Sequence, residues 1–244
     1  MGWNAALVWT LVNWASGSQV RDGLPESSRY LRWSGEKFVS ECTIERQRMD
    51  DKTVLKSVTT RPGTTLTLAA TFGPMDRLIG AEVTVEQGTE KRSARVTADE
   101  KSARVTRADG ATSELKCSPG VIVTSAPDWT DAVCLVRRYD RTQGDKQEFP
   151  GLWIHPNQEP MNVRFTITRL GKDTVERDGQ GYQLVRFIIE LRGGSRYIGW
   201  GDERGRLVRL HPEGRATQGI WLDGWERARG GGWTNPEQGR ENEK

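Results

Sequence analysis

Histidine and cysteine are scarce in this chain. Two histidines, His155 and His211, and three cysteines, Cys42, Cys117 and Cys134, stand among 244 residues. No Cys-x-x-Cys pair and no histidine cluster occurs, so the ligand spacing of a dedicated zinc site is missing. No metal and no other cofactor is expected. An excess of one charge is also missing, since 36 basic and 33 acidic residues leave +3. A nucleic-acid surface needs a basic stripe, so nucleic acid is not an expected partner. There is no Gly-x-Ser-x-Gly elbow to present a nucleophilic serine. The run Gly230-Gly231-Gly232 has no strand before it and no helix after it, which excludes a phosphate-cradling loop. An apolar stretch at residues 3–14 is too short to cross a bilayer.

What the chain has instead is alternation. In KFVSECTIER, Phe38, Cys42 and Ile44 fall on one face. Leu66, Leu68, Ala70 and Phe72 do so opposite threonines, and Ile79, Ala81, Val83 and Val85 repeat the pattern. So do Val163, Phe165 and Ile167, and later Val185, Phe187 and Ile189. A period of two with one polar face predicts half-buried antiparallel strands. Gly, Pro and Asp-Gly pairs separate these runs where turns are needed. SARVT at 93–97 recurs at 102–106 and predicts a hairpin with a four-residue loop, Ala and Val pointing inward.

One stretch breaks the pattern. SAPDWTDAVCLVRRYD, residues 125–140, has Pro127 near its start, acidic groups in its first turn and two arginines in its last. Trp129, Ala132, Val133, Val136 and Tyr139 share a helical face. The prediction is one helix over about 127–140, lying across a curved sheet and covering inner-face residues that strands alone leave bare. The fold class is therefore mainly β, a curved antiparallel sheet or open half-barrel with one central helix. Residues 28–228 form its domain. Residues 1–27 read as an apolar segment, either a secretory-signal remnant or a helix. Residues 229–244 lack periodicity and are expected to be disordered.

The strand meander, the helix PDWTDAVCLVRRYD, the following QEFPGLWI and the strand pair YIGWGDERGRLVRL together resemble bacterial envelope proteins of unknown function. Their open β half-barrel is similar to lipoprotein-carrier and lipocalin-like folds. The resemblance implies a periplasmic or secreted protein holding a small apolar or amphipathic ligand; the many tryptophans also suit a sugar-like one.

Three functions stay open on these residues. The first is binding of an apolar or amphipathic ligand in the concave face, with Trp129, Arg138, Tyr139, Trp153 and Trp200 as candidate contacts; aromatic plates and guanidinium forks suit such ligands. The second is a hydrolase for a carbohydrate or ester, with His155, Asp128 and Asp131 as candidate acid–base groups. Helix capping explains the two aspartates fully and is the stronger reading of them. The third is a structural or adaptor domain. Cys117 and Cys134 either pair, stapling the helix to the sheet in an oxidising compartment, or pack as two thiols. Pairing is the expectation, with Cys42 left reduced.

Overall fold

In the computed structural model, the described residues are 26–125, 129–230 and 233. The predicted alternation becomes one sheet. The first half meanders through β1 (Glu26–Ser34), β2 (Lys37–Met49), β3 (Lys52–Arg61), β4 (Thr64–Phe72), β5 (Leu78–Gln87), β6 (Glu90–Ala98), β7 (Ser102–Thr106) and β8 (Thr112–Lys116). A short strand, β9 (Ile122–Thr124), and α1 (Thr130–Arg138), the one α-helix among the described residues, follow. The second half is β10 (Lys146–His155), β11 (Gln158–Arg177), β12 (Gln180–Glu190), β13 (Arg196–Gly201), β14 (Leu207–Pro212) and β15 (Gln218–Leu222).

The fifteen strands run from β8 back to β1, then through β15 down to β10 and β9. First and last strands of the two meanders, β1 and β15, pair antiparallel and join the halves. The sheet does not close, because β8 and β9 are its two edges. Residues 117–121 connect those edges directly. Across the seam Arg107 and Ser113 both reach Glu159, at 2.5 Å each. These short polar ties hold the edges near each other without a ladder between them. The architecture is an open barrel, as the strand pattern predicts.

The strand faces follow the predicted phase in most places. Leu66, Leu68, Ala70 and Phe72 are buried, as are Val185, Phe187 and Ile189. Ala94, Val96, Ala103 and Val105 are buried on the SARVT hairpin, whose register pairs Val96 with Val105. Its loop is tighter than predicted. Ala98 still pairs with Ala103, and the Asp99 carboxylate accepts the backbone N–H groups of Lys101 and Ser102. Phe38 departs from expectation: it is 44% exposed. A bulge shifts the β1–β2 register at Arg32/Trp33, which re-aims the end of β2. Phe38 then stands edge-on to Trp33 at 5.6 Å.

The helix is shorter than predicted at its C-terminal end. Tyr139 turns to extended backbone, and its N–H still donates to the Leu135 carbonyl. The expected start at Pro127 lies outside the described residues. The buried helix positions are Thr130, Asp131, Ala132, Leu135 and Val136, so the face is rotated from the predicted one. Leu135 is fully buried, while Val133 and Trp129 are half-buried. Two glycines let the opposite wall approach. A Cβ on Gly201 would meet Val136 at 2.6 Å, and one on Gly205 would meet the Arg137 backbone at 3.4 Å. Gly205 also needs its φ of +73° for the β13–β14 turn.

The second half of the sheet is covered on its other face as well. Trp200 and Arg209 are register partners, as are Arg209 and Trp221, and all three are buried. The Arg209 guanidinium lies 5.2 Å from Trp200, 5.1 Å from Trp221 and 4.9 Å from Trp233. It also donates to the Ala216 carbonyl at 2.6 Å. Burial alone pulls Arg209 down to about 9. Three indole faces act in the opposite sense, because their quadrupoles favour a cation. Trp233 falls in the segment expected to be disordered, yet it is only 5% exposed and packs on Trp200 and Trp225. Arg229 and Glu176 exchange backbone hydrogen bonds at 2.8 and 2.9 Å, which fastens this strap to β11. Periodicity could not reveal it, since the strap is held by separate aromatic anchors.

Two stability predictions follow from these contacts. Leu135→Ala removes the centre of the helix face and should cost about 2–5 kcal/mol, and Trp233→Ala about 3–5 kcal/mol, in denaturant unfolding. A Trp233→Ala chain as stable as the parent would show that the strap carries no packing energy. The second concerns pH. His211 is buried against Trp200, and burial holds its pKa below the ordinary 6.5. The unfolded chain then takes up the proton first as pH falls. The stability from neutral His211 is present above the unfolded value and is lost as pH drops through the lower folded one. Tm should decline from about pH 6.5 downward, before ordinary carboxylates titrate near 4. His211→Gln should flatten that decline.

Candidate functional site

A cavity of about 200 Å³ lies between α1 and the inner face of β1–β4. Its apolar wall is Ile44, Leu55 and Phe72 from the sheet and Val133 from the helix. The strand phase that buries Cys42 and Ile44 also turns Arg46 inward. In register, Glu26, Arg46, Leu55, Ala70 and Ala81 are successive partners across β1 to β5. A guanidinium therefore sits in a row that is otherwise small and apolar on its β3–β5 side.

Four arginines line the cavity: Arg46, Arg137, Arg138 and Arg206. Three have carboxylates. Arg137 pairs with Glu26 at 2.7 Å, Arg138 with Asp76 at 3.3 Å, and Arg206 with Asp202 at 2.7 Å. Arg206 is held further because Asp202 also accepts its backbone N–H at 2.8 Å. Arg46 is half-buried, and its guanidinium makes no ion pair or hydrogen bond among the described residues. Burial, and next the nearby Arg137 charge, pull its pKa below the usual guanidinium value.

Arg138 knots the rim. It donates to the Gly120 carbonyl at 2.6 Å, pairs with Asp76 and lies 5.9 Å over the Phe72 ring. Gly120 in turn donates its N–H to the Asp76 carbonyl at 3.2 Å. One side chain thus joins the helix end, the seam loop and the β4–β5 turn. That turn holds Met75 and Asp76 at φ of 55° and 54°. The left-handed region costs roughly 1–2 kcal/mol for such residues, so the turn needs these ties. A wider groove, about 760 Å³, runs along the seam between Lys116–Pro119 and Pro150–Arg164. It is more open, and charged Glu100, Lys101, Lys116 and Arg164 line it.

Of the residues the sequence nominates, Arg138 alone lines the α1–β1–β4 cavity. Asp128 lies outside the described residues. Asp131, expected as a helix cap or an acid–base group, is buried; it accepts the Thr124 hydroxyl at 3.2 Å and the Ala132 N–H at 2.7 Å. It ties the helix start to β9. Trp129 packs edge-on to Tyr197 at 5.8 Å, beneath Arg32. Tyr139 packs on Phe187, and its hydroxyl donates to the Gly144 carbonyl. Trp153 is buried and stacks on His155, whose Nδ1 accepts the Asn157 N–H. Trp200 is not in the concave site, because it faces away from Gly199 and Gly201 and donates its indole N–H to Asp173 at 2.8 Å. The residues missed were Arg46 and Arg206. Arg46 was findable, since its position shares the phase of Cys42 and Ile44.

The expected disulfide is not present; all three cysteines are thiols. Cys134 lines the helix cavity, whereas Cys117 lines the seam groove. Burial pushes the Cys117 thiol up in pKa. The thiolate is the reactive form, so Cys134, half-buried, should react first with a thiol reagent in the native protein. Cys42 and Cys117 should react at unfolding, and non-reducing peptide mapping should return three thiols. Recovery of a Cys117–Cys134 cross-linked peptide would contradict this arrangement.

The chain matches no family profile and no curated protein sequence. Two solved structures are similar to it in outline. A DUF1089 family protein from Pseudomonas aeruginosa is 19% identical with a TM-score of 0.42, over 82% of this chain and 96% of that one. A beta-barrel-like protein of the domain of unknown function DUF1849 from Brucella abortus is 8% identical with a TM-score of 0.47, over 81% and 93%. No residue role is carried over from either. Among the described residues no helix is long and apolar enough to cross a membrane, which leaves β-barrel insertion unaddressed.

Proposed function

We propose that this protein binds a small apolar or amphipathic molecule in the cavity between α1 and β1–β4. The observation that carries the reading is the space itself. The helix covers the inner face but leaves a cavity of about 200 Å³ walled by Ile44, Leu55, Phe72 and Val133. A cavity of about 150 Å³ with aliphatic and aromatic walls already admits benzene. The adaptor reading leaves this apolar-walled space, ringed by four arginines, without a role, so it is the weaker one. The hydrolase reading has no supporting observation. Asp131 is engaged in holding the helix start, and neither it nor His155 lines this cavity. We place the protein in the periplasm or outside the cell, on the apolar residues 3–14 and the small residues that follow. Fractionation of tagged full-length chain should recover it outside the cytoplasm.

Binding is tested by filling the space. Val133→Phe adds bulk where the helix meets the cavity and should exclude the ligand. Native mass spectrometry of protein from its own host should reveal a noncovalent adduct that Val133→Phe lacks. Equal binding of a neutral apolar probe, hexan-1-ol, by both proteins would place any ligand elsewhere.

A further inference from the structure

We infer that the ligand of this cavity is a monoanionic amphiphile, a carboxylate on a short apolar tail, with its head group on Arg46. The inference rests on the cavity being the binding site and adds the chemistry of the head. Three lining arginines already have carboxylate partners at 2.7, 3.3 and 2.7 Å. Arg46 has none among the described residues, although its side chain is half removed from water. A guanidinium partly shielded from water and without a carboxylate partner gains a charge-assisted, two-point hydrogen bond when an anion arrives beside it.

The neighbourhood sets the sign and the count. Arg137 faces Arg46 from the helix, while Glu26 and Asp76 face it from β1 and the β4–β5 turn. Both carboxylates are held by Arg137 and Arg138. One positive charge is left over, which one carboxylate neutralises and a dianion would exceed. The planar fork of arginine also matches a carboxylate in two-point geometry. Beyond the head, Leu55 and Phe72 offer only apolar surface. A cavity of about 200 Å³ takes a tail of a ring's size or a short alkyl chain.

The test uses the full chain and two probes of equal length, hexanoate and hexan-1-ol, titrated by NMR up to millimolar concentration. Hexanoate should bind at least tenfold more tightly than hexan-1-ol. Arg46→Met should abolish that preference through loss of hexanoate affinity, with Tm no lower than the parental value. Arg46→Lys should retain part of the preference, since it keeps the charge and loses the fork. If hexan-1-ol binds as well as hexanoate, or if Arg46→Met keeps the preference, the head-group assignment is overturned and the cavity reading stands. If neither probe binds the parent, the cavity reading falls and takes this inference with it. Should Arg46→Met unfold, the ratio measured with Arg46→Lys decides alone: an unchanged tenfold preference with no loss in hexanoate affinity refutes a guanidinium fork.

Discussion

Burial of one face of α1 against the concave side of an unclosed sheet is the contact on which the other features rest. Strands in a curved sheet present an inner face that must be kept from water, and β8 and β9 never pair to seal it. The helix enters at this gap. It follows β9, which pairs parallel to β10, and its chain is continuous with the seam. Leu135, Val136 and Ala132 supply the apolar surface, and Gly201 and Gly205 remove the side chains that would hold the wall away. Larger residues at those two positions would lift the helix from the sheet. The seam ties, the rim and the cavity would all shift with it.

The same helix makes the site by filling the interior incompletely. Its inner residues Ala132 and Leu135 are fully buried, whereas Val133 and Cys134 turn toward β1–β4 and line the cavity. The last-turn arginines serve two purposes there. They complement the helix dipole, and they anchor the rim through Glu26, Asp76 and the Gly120 carbonyl. Half-buried pairs of this kind contribute modestly to stability and more to fixing where each element sits. The rim is therefore held in place by the protein's own side chains and backbone.

Charge is also handled on the far face of β11–β15, by other means. Arg209 has zero exposure, yet three indoles and a backbone carbonyl surround it. Four of the ten tryptophans, Trp200, Trp221, Trp225 and Trp233, are spent on this face. That accounts for much of the aromatic excess without assigning it to a cleft. The two faces divide the labour: the aromatic face holds the chain together, and the aliphatic face with its arginines has room for a guest.

The sequence by itself determined the local events. Alternation of Leu66, Leu68, Ala70 and Phe72, or of Val185, Phe187 and Ile189, is a property of neighbouring residues, and it marks strand and inward face without knowledge of any partner. Spacing within TDAVCLVRR marks the helix for the same reason. Wherever the outcome depended on which strand lies beside which, the tertiary structure decided. Trp200 reads as a cleft residue until β13 is known to aim it away from Gly199, toward Arg209. Cys117 and Cys134 are close in sequence, but they line different cavities once the sheet curves. Trp233 reads as part of a polar tail until the Arg209 cage is assembled from three strands. Arg46 was legible in phase, as the inward partner of Ile44. Its lack of a carboxylate was not, because Glu26, Asp76 and the pair Arg137–Arg138 come from three separate parts of the chain and charges sort themselves only after those parts are packed.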